Sequence, residues 1–167
     1  MVCMDIQTVM VGMGPLSSLV VLKPRSSKEG HEGEKLPIRV GMVEASAISA
    51  GIEGGHGKRP LTHDLMLATI SQMGGTLQSV EIVDVQGTTF FARLNITCES
   101  GRHVDVDARP SDALALAVRA AVPIFADERV LQMASMPDFD AIEHQEREQE
   151  LQDFHDFVQN LSPDDFK

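Results

Sequence analysis

Arg109-Pro110-Ser111-Asp112 places a guanidinium, a hydroxyl and a carboxylate within four residues, at the mouth of the Ala/Leu run that follows. Proline suits the first helical position, because its fixed φ matches the turn and its missing N–H would be unbonded there anyway. The polar trio therefore crowds a helix N-terminus, where unbonded backbone N–H groups and the macrodipole attract anions. Arg59-Pro60-Leu61-Thr62-His63-Asp64 repeats the grammar of Arg-Pro, hydroxyl and acid at a second helix entry, and Glu44 stands at a third strand-to-helix junction. If these mouths meet at one end of a sheet, they gather three carboxylates, one imidazole and two guanidiniums.

Such a set suits phosphodiester hydrolysis. Glu44, Asp64 and Asp112 are candidate catalytic carboxylates and candidate ligands for Mg²⁺ or Mn²⁺, hard cations that prefer oxygen. A cation of that kind polarises a phosphoryl oxygen or activates water. His63 is the candidate general acid or base, because histidine is the side chain whose reference pKa of about 6.5 lies nearest neutral pH. Arg59 and Arg109 offer forked donors to charge developing on phosphorus-bound oxygens. Ser111 joins them as a candidate substrate-binding group. A simpler reading stands beside this one: first-turn acids complement helix dipoles, Ser111 and Asp112 cap, and the arginines pair with those same acids. No Walker loop, Gly-x-Gly-x-x-Gly or His-Glu-x-x-His motif occurs. His31, His56, His103, His144 and His155 show no ligand spacing, and His103, Asp105 and Asp107 alternate as a solvated strand face would.

The elements that must carry these residues are legible in period. Alternation predicts strands near 5–12, 18–23, 36–41, 78–86, 88–98 and 102–108, with Gln86-Gly87 as a tight hairpin turn. Helices are expected at about 42–53, 62–74, 110–121 and 127–134. Thr62 is the expected N-cap of the second, and Gly74-Gly75 its stop. Ile124-Phe125 reads as a short strand between the last two helices. Residues 24–35 read as a long, exposed hairpin loop. Three strands and two helices thus occur twice. Ile38–Ile48 aligns with Val106–Leu116, and Glu44 falls opposite Asp112. The expected fold is α+β: duplicated three-strand, two-helix units forming one barrel-like sheet with helices packed outside.

Charge divides the chain. Of its 25 acidic and 14 basic side chains, residues 138–167 hold ten and two. Residues 1–137 are therefore close to neutral and read as the folded domain. Residues 138–167 read as an acidic amphipathic helix or tail, with Leu151, Phe154, Val158 and Leu161 forming a narrow apolar seam. A near-neutral body lacks the broad basic face that drives nonspecific nucleic-acid binding, so phosphate contacts must be local. Two cysteines without metal spacing point to a reducing compartment. The N-terminus lacks the basic start and long apolar stretch of a signal peptide, and no segment is long enough to span a bilayer. A cytoplasmic location is expected.

The chain resembles the bifunctional nuclease domain family. The resemblance rests on Leu36-Pro37-Ile38 with Gly41, Glu44-Ala45, Arg59–Leu65, Thr89–Leu94, Arg109–Ala113 with Ala115–Ala117, Pro123-Ile124, and the terminal Phe154–Lys167. It implies an α+β fold and assembly as a homodimer or larger homo-oligomer. It also implies nuclease activity on DNA and RNA, with Glu44, His63, Asp64, Arg109, Ser111 and Asp112 as site candidates. Arg39 departs from the family's usual Trp at that strand position. The competing expectation is a non-catalytic oligomeric regulator or binding protein whose polar helix mouths are structural caps.

Overall fold

A computed structural model describes residues 1–12, 18–25, 34–54 and 59–137. The acidic tail, the middle of the 24–35 loop and His56 lie outside the described residues. Contacts divide the chain into Met1–Met136 and Pro137–Lys167, and the fold below is that of the first unit.

Two antiparallel meanders supply most of the sheet. The first is β1 (Val2–Met10), β2 (Ser18–Pro24) and β3 (Glu34–Val40). The second is β4 (Gly75–Gln86), β5 (Thr89–Cys98) and β6 (His103–Ala108). Between them lies β7 (Ile124–Ala126), antiparallel to β1 and parallel to β4. The full order is β6-β5-β4-β7-β1-β2-β3, with the two-residue β8 (Met136–Pro137) beside β3. The sequence thus anticipates one continuous sheet, but its strand order runs from β6 to β8 without closing into a barrel. Three residues of β7 join the meanders, and Val80 N–H to Pro123 O and Asp127 N–H to Ile82 O extend that seam.

The helices are α1 (Met42–Ile52), α2 (Thr62–Gln72), α3 (Pro110–Ala120) and α4 (Glu128–Ala134). α3 is the central one. Ser111 and every residue from Ala113 to Ala117 are buried, and the helix packs on β4 and β5 with α1 and α2 against it. Its alanines bring the neighbouring backbones close, and Gly51 of α1 meets Val118 and Arg119 there. Buried Met4, Val20, Leu22, Ile38, Val80, Ile82, Leu94, Leu114 and Leu116 belong to one cluster, so the sheet and its helices share a single core.

Two local readings shift. The N-cap of α2 is Leu61 rather than Thr62, because the Asp64 carboxylate folds back to accept the Leu61 N–H at 2.9 Å. That acid does the capping, so the hydroxyl is not needed for it. Gly74, at φ 75°, ends the helix as expected. The turn glycine Gly87 has φ 62°, a conformation natural to glycine in a tight hairpin.

Candidate functional site at the helix mouths

Glu44, Asp64 and Asp112 each occupy the third position of their helix, in α1, α2 and α3 respectively. The three N-caps are Gly41, Leu61 and Arg109, and none supplies a side-chain cap bond. First-turn N–H groups have no partner within the helix. A carboxylate at the third position complements them, and its remaining oxygen surface is available to neighbours.

Arg109 joins two of the mouths. Its Nε donates to Asp112 Oδ2 at 2.8 Å, its Nη2 to Asp112 Oδ1 at 3.2 Å, and its Nη1 reaches Glu44 Oε1 at 3.3 Å. His63 brings in the third mouth, with Nε2 3.3 Å from Asp112 Oδ1. Burial pushes the Asp112 carboxyl up. The hydrogen bonds and charges of Arg109 and His63 outweigh that and hold it below the usual carboxylate range. Arg109 is raised further above its already high value, first by its hydrogen bond to Asp112 and then by that residue's charge. An ionised Asp112 only accepts, so Nε2 of His63 carries the hydrogen they share, and Nδ1 is the ring nitrogen left for another partner.

Asp64 has a different setting. It caps Leu61 through Oδ2 and meets Arg119 Nε through Oδ1 at 3.0 Å. Arg119 is the residue that sequence reasoning missed. Its side chain is only 5% exposed, and its Nη1 also donates to Ala115 O at 2.8 Å. The available signal was spacing: Asp112 and Arg119 are the only charged residues of α3, seven apart, so they share one helical face. That face holds the first turn of α2 at two points, His63 on Asp112 and Asp64 on Arg119.

A cleft of ≈ 290 Å³ opens between the α1 and α3 mouths, lined among others by Arg39, Glu44, Phe90, Arg109 and Ser111. Of the sequence candidates, Glu44, Arg109 and Ser111 line it, and Asp112 adjoins through Arg109. His63 and Asp64 stand on the α2 side of Asp112, outside the lining. Arg59 is exposed in the turn ahead of α2.

The three carboxylates do not form a common ligand set. Arg109 lies between Glu44 and Asp112, Arg119 holds Asp64, and among the described residues no group of three His, Cys, Asp or Glu is placed to hold a metal ion. The expectation that Glu44, Asp64 and Asp112 converge on one Mg²⁺ or Mn²⁺ therefore does not fit this donor arrangement, because Arg109 occupies the position between Glu44 and Asp112 while Asp64 is engaged by Arg119. Among the described residues, no helix is long and apolar enough to cross a membrane.

A family model described as bifunctional nuclease domain matches residues 20–138, which takes in all three helix mouths and the cleft. The uncharacterized proteins MT1877 and Rv1829, from two strains of Mycobacterium tuberculosis, are each 40% identical over 144 residues. That span is 84% of this chain and 85% of theirs.

Proposed function

The chain belongs to the bifunctional nuclease domain family, and on that premise we propose that it hydrolyses phosphodiester bonds of DNA or RNA at the cleft between α1 and α3. The observation that carries the reading is Arg109, whose guanidinium is fixed by Asp112 and Glu44 at the edge of a cleft of nucleotide size. A guanidinium held on two carboxylates is pre-oriented, so it stabilises charge on a phosphoryl oxygen without reorganising.

In this reading Arg109 and Ser111 bind the phosphate, and Arg59, exposed ahead of α2, steers the strand. Glu44 is the carboxylate inside the cleft and takes the proton of the attacking water. Asp112 positions Arg109 and orients His63, which in its doubly protonated form gives the Nδ1 proton through a bridging water to the leaving oxygen, while Glu44 keeps the proton taken from the attacking water. Asp64 acts through α2, by holding the turn that presents His63. Cleavage with and without EDTA reads whether a divalent cation takes part.

The two meanders with their helices are read as copies of one unit, which makes Glu44 and Asp112 equivalent positions. Residues 138–167 form a separate acidic segment in this scheme. Exposed Leu61, Leu65, Met66 and Met73 on and beside α2 support assembly as a homodimer or larger. Cys3 and Cys98, both unpaired, support a cytoplasmic setting.

The test is cleavage of single- and double-stranded DNA and RNA by protein freed of contaminating nuclease, with and without EDTA. Asp112→Asn and His63→Ala should each lower the rate, His63→Ala by about 10²–10⁴-fold as for a lost proton-transfer group. Equal cutting by both variants and the parent removes the site from consideration. The competing reading, a binding module with structural helix mouths, draws on Asp64, which is fully explained as a cap and ion-pair partner. It prevails if the variants lose stability and no preparation cuts.

A further inference from the structure

We infer that the α1–α3 cleft is a subsite for one phosphodiester monoanion of a single unpaired strand, an inference that rests on the nuclease reading of the same site. Ser111 is the first observation. It is 7% exposed and lines the cleft, yet its hydroxyl has no hydrogen-bond partner among the described residues. Ser18, the other buried polar residue, accepts from Gly12 N–H at 3.0 Å. Since no fully enclosed side-chain N or O among the described residues lacks a partner, the Ser111 hydroxyl must reach the solvent of the cleft. A largely buried hydroxyl without a protein partner, open only to cleft solvent, can exchange its water for a ligand oxygen.

The groups around it are also donors. Arg109 uses three of its five N–H groups on Asp112 and Glu44, which leaves two on a side chain that is 66% exposed. Gly41, the N-cap of α1, has no side chain, and the Glu44 carboxylate lies over it, so the α1 first turn is complemented by Glu44 and the ligand-facing donors are Ser111 and Arg109. Serine hydroxyl and guanidinium together recognise a phosphate-type oxygen.

Charge then selects the kind of phosphate. The charged residues in the lining are Arg39, Arg109 and Glu44, and Asp112 sits on Arg109. Glu44 lines the cleft and shares Arg109 with Asp112, so each additional negative charge on the ligand meets the Glu44 carboxylate. A phosphodiester carries one negative charge, whereas a terminal phosphate carries about 1.5–2 near neutral pH.

Size and shape select the strand. The cleft is ≈ 290 Å³ and Phe90 lines it, so a flexible strand can seat one phosphate while a base stacks on the ring. A duplex holds its bases inside and is bound mainly through its phosphates, and the chain's net charge of −11 offers no broad basic face for that.

Titration of the full chain at pH 8 with a dinucleoside monophosphate, a nucleoside monophosphate and inorganic phosphate tests this. The dinucleoside monophosphate should bind about tenfold more tightly than the other two, the effect of one unfavourable close charge contact. Glu44→Gln should narrow that gap to roughly threefold or less by removing the repelling charge. Ser111→Ala should weaken the diester by about tenfold, as for a lost hydrogen bond to a charged group, with an unchanged melting temperature. Equal or tighter binding of the monoesters, or Ser111→Ala binding like the parent, overturns the subsite. If the diester binds but no strand is cut, the nuclease reading fails and the subsite stands. If duplex is cut as fast as single strand, the subsite fails and the nuclease reading stands.

Discussion

Arg119→Met asks whether the ion pair behind the cleft, rather than helix packing alone, holds α2 in place. Methionine keeps most of the aliphatic volume of the arginine stem, so the change isolates the guanidinium. The lost contacts are Nε to Asp64 Oδ1 at 3.0 Å and Nη1 to Ala115 O at 2.8 Å. The Ala115 carbonyl retains its helical partner, so the second loss is minor. Removing one member of a buried ion pair costs about 3–5 kcal/mol, because a charge is left behind in the interior. Asp64 keeps 21% exposure and the Leu61 N–H, which places the expected loss at the lower end, about 3 kcal/mol. For a domain of this size that lowers the melting temperature by roughly 6–12 °C.

The assay is urea denaturation of the parent, Arg119→Met, Asp64→Asn and the double variant. The double variant should be about 2 kcal/mol less destabilised than the sum of the singles. A loss below about 1 kcal/mol, the value of an exposed pair, would refute the argument, as would additivity within about 0.5 kcal/mol. Cleavage by Arg119→Met should also fall although the residue lies outside the cleft lining, since releasing the first turn of α2 moves His63 away from Asp112.

Other expectations follow from the same geometry. Asp112 is held below its usual range, so its ionised form stabilises the fold fully above about pH 4 and that stabilisation is lost as pH falls through the lowered native value. Asp112→Asn should therefore be less stable than the parent at pH 7, with the gap closing below about pH 4 in urea titrations at both values. Gly51→Ala would place a Cβ 2.6 Å from both Val118 Cγ2 and Arg119 Nη1. The clash, about 1–3 kcal/mol, should exceed the helix-propensity gain of about 1 kcal/mol, giving a lower melting temperature. At Gly41 an added methyl would collide with the Glu44 carboxylate, so Gly41→Ala should reduce cleavage more than it reduces stability, measured side by side. Leu114→Ala empties a fully buried position in α3 and should cost about 2–5 kcal/mol by chemical denaturation.

The sequence by itself determined the elements and where their helices begin. Alternation over Phe90–Cys98 and Pro110 ahead of an Ala/Leu run are local signals, and local signals fix a period and a helix mouth within a residue or two. It also marked Glu44, His63, Asp112, Arg109 and Ser111 as polar groups at those mouths. Tertiary structure decided which of them meet. β7, only three residues long, joins the two meanders and leaves the sheet open, and no alternation of its own announces that position. Arg119 lies 55 residues from Asp64, so only the packing of α2 on α3 reveals the pair that holds α2. The same packing sets Arg109 between Glu44 and Asp112 and Arg119 on Asp64, where residue type alone suggested carboxylates around a metal. Residue type tells which contacts a side chain can make, while charge pairing across the core depends on which faces the fold brings together.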